Sequence, residues 1–221
     1  MKFKIKWDYY NKNKTETNFI SEWIKDDVLL EIAEDLEKTG RVKNMSFEDE
    51  TGISWTKKEV KKLLQRLEQE PDEFLLYFDA SYNKETDETG IGVVLYYKQG
   101  AQQYRERWNE RVEGLKSNNE AEYCALHYAV KRLGEFPIAG KKVIIKGDSQ
   151  GLLMQLRGEW PCYEENLNRW LDRIERLVKK LNFHPVYEPI NRNDNKEADK
   201  LARQALKQVM IESKQKLGDE E

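Results

Sequence analysis

The sequence predicts an α/β protein in two parts: a mixed five-stranded sheet flanked by helices over residues 73–213, preceded by a small α+β domain over residues 1–70. Three observations carry this reading. Glu68-Gln69-Glu70-Pro71-Asp72-Glu73 is a polar, proline-bearing break between a helical pattern and an apolar strand. Beyond the break, three strand-like runs come in succession and then strand and helix alternate, the order of a mixed sheet covered by helices. The 221 residues are 38% hydrophobic and 11% aromatic, which can build a core and argues against disorder despite 36% charged side chains.

In the first part, Phe3, Ile5, Trp7 and Tyr9 alternate with Lys2, Lys4, Lys6 and Asp8, the pattern of a half-buried strand. Asn11-Lys12-Asn13-Lys14 reads as a turn into a second strand over Thr15–Ile20. Val28, Leu29, Ile32 and Leu36 have helical spacing, and that helix stops at Gly40. Strands at Val42–Glu48 and Ile53–Trp55 flank the turn Asp49-Glu50-Thr51-Gly52. Thr56-Lys57-Lys58-Glu59 is a capping box that opens a helix over Lys57–Leu67. The Lys2/Lys4/Lys6 face could meet nucleic acid or a protein partner; its simpler reading is a solvated face.

In the second part, Phe74–Ser81, Gly90–Lys98 and Gln103–Val112 read as strands, Asn118–Leu133 as a helix, and Val143–Gly147 as a short buried strand. Helices over Ser149–Arg157 and Glu164–Leu181, a strand over Pro185–Ile190 and a last helix over Lys196–Ser213 complete the sheet and its cover. Residues 214–221 are expected to be a disordered tail.

Composition excludes several classes. No apolar run approaches the roughly 18 residues of a membrane span, and the first residues carry no apolar signal core. Two cysteines, Cys124 and Cys162, are too few for a disulfide framework or a CxxC zinc site, so a cytoplasmic setting is expected. With 38 Lys+Arg against 41 Asp+Glu, nucleic acid would have to be held by a local groove or by metal ions rather than by bulk charge.

Asp79 and Asp148 each end an apolar strand. Acidic side chains beside a core are costly unless compensated, and ligands collect at strand ends in sheets flanked by helices. Two such strands suggest carboxylates converging on a cation, with oxygen ligands suiting Mg²⁺ or Mn²⁺. The residues leave open a plainer role, each Asp capping a turn or helix.

Four blocks then occur in order: Asp79-Ala80-Ser81, Ser117-Asn118-Asn119-Glu120-Ala121-Glu122-Tyr123, Gly147-Asp148-Ser149-Gln150 and Asn195-Lys196-Glu197-Ala198-Asp199-Lys200-Leu201-Ala202. From Phe74 to Leu206 the chain resembles the type 1 ribonuclease H family, in particular its bacterial reverse-transcriptase-like branch. The resemblance implies a ribonuclease H-like fold and a metal-dependent endonuclease that hydrolyses the RNA strand of RNA–DNA hybrids, leaving a 3′-hydroxyl and a 5′-phosphate. It implies that Asp79, Glu122, Asp148 and Asp199 hold two Mg²⁺ (or Mn²⁺) ions with substrate bound, Asp79 bridging both; Glu120 stands at the block's variable position and is left unassigned. Asn118, Asn119 and Gln150 would contact the hybrid's minor groove, and helix capping is a second, compatible role for the two Asn. Arg192 stands where some relatives place an Arg that helps in proton transfer or product release.

The chain departs from the family's glycine-rich first block. Tyr82–Gly90 reads instead as an acidic loop with Glu85, Asp87 and Glu88 near the expected path of a phosphate backbone. That loop keeps open an alternative: a catalytically weak or inactive module of the same fold that binds nucleic acid or protein. The linker Gly158–Tyr163 is short and resembles the branch without a basic protrusion. Trp160 within it could stack on a base or pack inward, and His184, His127 and Cys124 read as structural.

Overall fold

The computed structural model describes residues 1–11 and 15–218; Lys12–Lys14 of the expected turn and residues 219–221 of the expected tail lie outside them. The chain divides into two compact units, Met1–Gln69 and Glu70–Glu221. Among the described residues, no helix is long and apolar enough to cross a membrane.

The first unit is a sheet under two helices. Strands β1 (Lys2–Tyr10), β2 (Glu16–Ile20), β3 (Ile24–Lys25), β4 (Val42–Asp49) and β5 (Ser54–Trp55) are joined with helices α1 (Asp26–Lys38) and α2 (Lys57–Glu68) in chain order β1-β2-β3-α1-β4-β5-α2. The sheet runs β2-β1-β4-β5, with β3 on one end of β1. Alternation along β1 turns Phe3 and Ile5 onto Leu29, Ala33, Phe47 and Val60, which form the core. The capping box at Thr56 and Glu59 is present, so it starts α2 as the sequence requires. On the other face, Lys4 lies 4.8 Å from the Trp23 ring and Lys6 pairs with Glu48. Asp49 is buried, and its carboxylate takes hydrogen bonds from the Thr51 hydroxyl, the Trp55 indole and the Ile53 and Thr51 amides. Those donors hold its pKa down at about 2 and tie the turn to β5.

Among its described residues the second unit carries six strands: β6 (Asp72–Asn83), β7 (Glu88–Gln99), β8 (Gln102–Glu113), β9 (Lys142–Gly147), β10 (His184–Pro189) and β11 (Glu212–Leu217). They lie in the order β10-β9-β6-β7-β8-β11. The β6, β9 and β10 neighbours pair in parallel; the β6–β7, β7–β8 and β8–β11 pairs are antiparallel. The helices are α3 (Asn118–Leu133), α4 (Gln150–Leu156), α5 (Glu165–Leu181) and α6 (Lys196–Leu206). Phe74, Leu76 and Phe78 on β6 and Ile91, Val93 and Leu95 on β7 pack with Leu126 and Leu133 of α3 and Leu167 and Ile174 of α5. The alternate residues face the other way, where Val94 packs with Ala198 and Leu201 of α6.

Three expectations are corrected here. The sheet gains a sixth strand, because residues 212–217 pair with β8 instead of extending the last helix or fraying. The helix stops at Leu206, and Gln208 takes a left-handed φ of 60°. Buried Asn109 then captures the chain: its Nδ2 donates to the carbonyls of Leu201 (3.1 Å) and Val209 (2.8 Å), and its Oδ1 accepts from the Ile211 amide (2.6 Å). The acidic loop after Asp79 is a hairpin instead, with β6 continuing to Asn83 and β7 starting at Glu88. Two of its acids are engaged, Asp87 accepting from the Tyr82 hydroxyl (2.6 Å) and Glu88 pairing with Arg111.

Helix α6 sits close to the sheet because β7 presents glycine to it. A Cβ on Gly92 would overlap the Ala198 carbonyl oxygen and stand 2.6 Å from the Ala202 amide nitrogen, both backbone atoms that cannot swing aside. Gly92→Ala is therefore expected to lower unfolding stability by about 3 kcal/mol in urea titrations, the scale of overpacking a rigid contact. Gly151→Ala, in α4 with open space around it, is the matched control and should be neutral or slightly stabilising.

Candidate active site

The long strand β6 carries Asp79 opposite Gly92 in the β6–β7 ladder. Asp148 follows the last residue of β9, which lies parallel to β6. Glu122 projects from the second turn of α3, whose start is set by Ser117, its hydroxyl accepting from the Glu120 amide at 3.1 Å. These elements bring carboxylate oxygens of Asp79, Glu122 and Asp148 within 4.8 Å of one another. Asp79 and Glu122 are buried and Asp148 is half-buried.

The capping alternatives fare differently. Ser149, not Asp148, stands at the N-cap of α4. Ser117 rather than Asn118 or Asn119 caps α3, and both Asn are exposed at its first two positions. At i,i+4 and i,i+3 from Glu122, they share its side of the helix. Gln150 is exposed and lines an open cleft of about 570 Å³ together with Asp148, Asn191 and Arg192.

Asp199 is the outlier. It lies on the first turns of α6, outside the trio, and its Oδ1 accepts from Arg203 at 2.9 Å and from Arg192 at 3.5 Å. Its charge still reaches Asp79. Burial first, then the Asp148 charge and more weakly that of Asp199, push the Asp79 carboxyl up to about 7, against the Ala80 amide and Arg192, which favour the anion. Burial, followed by the charges of Asp79 and Asp148, also drives Glu122 well above the usual carboxylate range.

Two residues without an assigned role in the sequence reading belong to this site. Asn195 is buried, and its Nδ2 donates to the Phe78 carbonyl at 2.9 Å and lies 3.5 Å from Asp148 Oδ1, so it ties the start of α6 to both acid-bearing strands. Its place inside the fourth sequence block was the available signal. Arg203 follows Asp199 by one helical turn, and i,i+4 charge spacing could have identified the pair.

The arrangement fits a divalent cation. The donors are all oxygens, as Mg²⁺ and Mn²⁺ require, and buried Glu122 Oε2 has no hydrogen-bond partner among the described residues. Elsewhere, Glu120 turns away from the trio to accept from the Trp170 indole (3.1 Å), His127 packs edge-on to Trp170, and His184 starts β10 as an exposed residue. Trp160 is exposed, and Cys124 packs against the core.

Residues 77–205 match the family model described as reverse transcriptase-like. The chain belongs to this family. Its fold is that of ribonuclease H, the mixed sheet flanked by helices that the sequence predicted. The chain is also 44% identical over 207 residues to the uncharacterized protein YpeP of Bacillus subtilis (strain 168), covering 93% of this chain and 91% of that one. Among solved structures, RNase H1 from the halophilic archaeon Halobacterium salinarum NRC-1 aligns with a TM-score of 0.50 at 26% identity, over 61% of this chain and 98% of its own. LC11-RNase H1, solved in complex with an RNA/DNA hybrid, aligns with a TM-score of 0.54 at 22% identity, over 62% of this chain and 99% of its own. The reverse transcriptase-like match lies entirely within the second unit.

Proposed function

We propose that the second unit is a metal-dependent endonuclease that hydrolyses the RNA strand of RNA–DNA hybrids. The observation that carries this is the trio Asp79, Glu122 and Asp148, three carboxylates within 4.8 Å whose burial and mutual repulsion are relieved by a divalent cation. The halobacterial ribonuclease H1 supports the activity class by likeness of fold and sequence.

In this reading Asp79, Glu122, Asp148 and Asp199 hold two Mg²⁺ or Mn²⁺ ions once substrate is bound. When bound, such ions stabilise charge on the attacking and leaving oxygens of an in-line displacement at phosphorus. The protein's own residues supply the rest. Asn195 fixes Asp148 against β6 and so sets where the carboxylates converge. Asn118, Asn119 and Gln150 offer amide donors and acceptors to the minor groove, where the 2′-hydroxyl distinguishes RNA from DNA. Arg192, exposed at the cleft beside Asp148, attracts the phosphate and favours the negative charge that gathers on the leaving oxygen. The acidic residues Glu85, Asp87 and Glu88 stand about four or more residues beyond Asp79 along the hairpin, roughly 13 Å or more of strand, beyond a physiological Debye length of about 8 Å.

The test is cleavage of an end-labelled RNA–DNA hybrid with Mg²⁺ or Mn²⁺, beside duplex DNA, duplex RNA and a chelator control, with the Asp148→Asn variant in parallel. Cuts confined to the RNA of the hybrid, dependent on the cation and lost in the variant, are expected. Equal cleavage by wild type and variant would dismiss this site as the catalyst.

A further inference from the structure

We propose that Arg203 is a positioning residue that holds Asp199 apart from the carboxylate trio, so that a second cation position forms when a phosphodiester draws the guanidinium away. This rests on the metal-binding reading above and assigns a control element to the same site.

Asp199 Oδ1 accepts from both Arg203 and Arg192, at 2.9 and 3.5 Å, and Asp199 has no place among the carboxylates that converge within 4.8 Å. The two sides of this pairing differ in access: the Asp199 side chain is 20% exposed, Arg203 58% and Arg192 72%. The carboxylate is the sheltered partner, while both guanidiniums reach solvent. Arg203 meets the carboxylate through one of its oxygens, whereas a phosphate can take the same fork with two oxygens at once. A backbone phosphate arriving at this side of the site therefore competes for Arg203 and leaves Asp199 free to turn toward Asp79, whose carboxyl already feels its charge. Asp199 is then a ligand on demand, and filling of the second position is linked to nucleic acid being present.

The experiment is calorimetric titration with Mn²⁺ alone on the full chain, without nucleic acid. Wild type is expected to show one tighter site, lost in Asp148→Asn, and one weak site. Arg203→Gln should tighten the weak site by about tenfold, as expected for freeing a carboxylate and removing a nearby positive charge, while changing the first by less than about twofold. The gain should vanish in Asp199→Asn/Arg203→Gln, which isolates the pair. Dimethyl phosphate, a soluble phosphodiester, should tighten the weak site in wild type and not in Arg203→Gln. An unchanged weak site in Arg203→Gln, an equal gain at both sites, or a gain that persists without Asp199 would overturn the latch, the last two marking a bulk charge effect. A first site indifferent to Asp148→Asn, or no Mn²⁺ bound by any variant, would instead overturn the metal-binding reading and the latch with it. Thermal melting of each variant, with Arg203 exposed, checks that the fold is kept.

Discussion

Asp148→Asn is expected to reduce hydrolysis of an RNA–DNA hybrid by about a thousandfold or more, the scale for removing a group from a set that acts as a unit. The substitution keeps shape and removes charge. Asn195 Nδ2, 3.5 Å from Asp148 Oδ1, can still approach an amide oxygen, so the strand end stays where it is. What disappears is an anionic oxygen facing Asp79 and Glu122. Because Asp148 is the strongest of the charges that raise the Asp79 carboxyl, its loss also relieves repulsion in the metal-free protein. Unfolding stability at pH 8 in chelator is therefore expected to rise, by about 1 kcal/mol. Urea titration reads the second effect independently of activity. A drop in stability would mean that Asp148 serves chiefly as a structural anchor.

The metal-free protein is expected to lose stability between pH 5 and pH 8, by an amount on the order of 3 kcal/mol from Asp79. Its carboxyl titrates at about 7 in the folded chain against an ordinary value of 3.8, a difference of about three pH units at about 1.4 kcal/mol each, of which about two lie above pH 5. The sign follows from proton binding. Between about pH 4 and pH 7 the folded chain keeps a proton that the unfolded chain has released, so unfolding becomes easier as pH rises. The contribution is complete below about 4 and gone above about 7. Glu122, raised in the same direction, adds to the fall. The measurement is the difference in urea stability between wild type and Asp79→Asn at pH 5 and pH 8 in chelator, which cancels the titrating groups remote from this cluster. The variant should show a flatter profile, and Mn²⁺ should restore wild type at pH 8 by binding the folded state alone. A wild-type profile that rises across this window, or a variant that parallels it, would show that Asp79 ionises without cost.

Both expectations concern groups that the sequence places with different clarity. Asp79 and Asp148 are legible because each closes an apolar run, where an acid needs a reason. Glu122 has no such marking: it is one of two acids two residues apart on a helix, and only the four-block resemblance separates it from Glu120. The structure supplies the physical distinction, since Glu120 accepts from the Trp170 indole while Glu122 is buried against the other two carboxylates. The sixth strand was illegible for a different cause. Glu212-Ser213-Lys214-Gln215-Lys216-Leu217 shows no alternation of apolar and polar residues, because an edge strand with charged partners such as Glu106 has little to bury. The sequence predicts a last helix over Lys196–Ser213, and what captures the chain beyond Leu206 is Asn109, nearly a hundred residues earlier in the chain.

Local pattern determined most of the strands and helices, the capping box at Thr56 and the order of the four acid-bearing blocks. These depend on periodicity and on neighbours within a turn or a pleat, so they are written in the chain itself. Tertiary structure decided how deep α6 lies on Gly90 and Gly92, which oxygens meet within 4.8 Å, and that Asp199 is held by arginines instead. Those outcomes depend on distances between segments far apart in sequence. A carboxylate's protonation and reach are set by burial and by the charges that the fold brings to it, and the order of residues along a strand does not contain either.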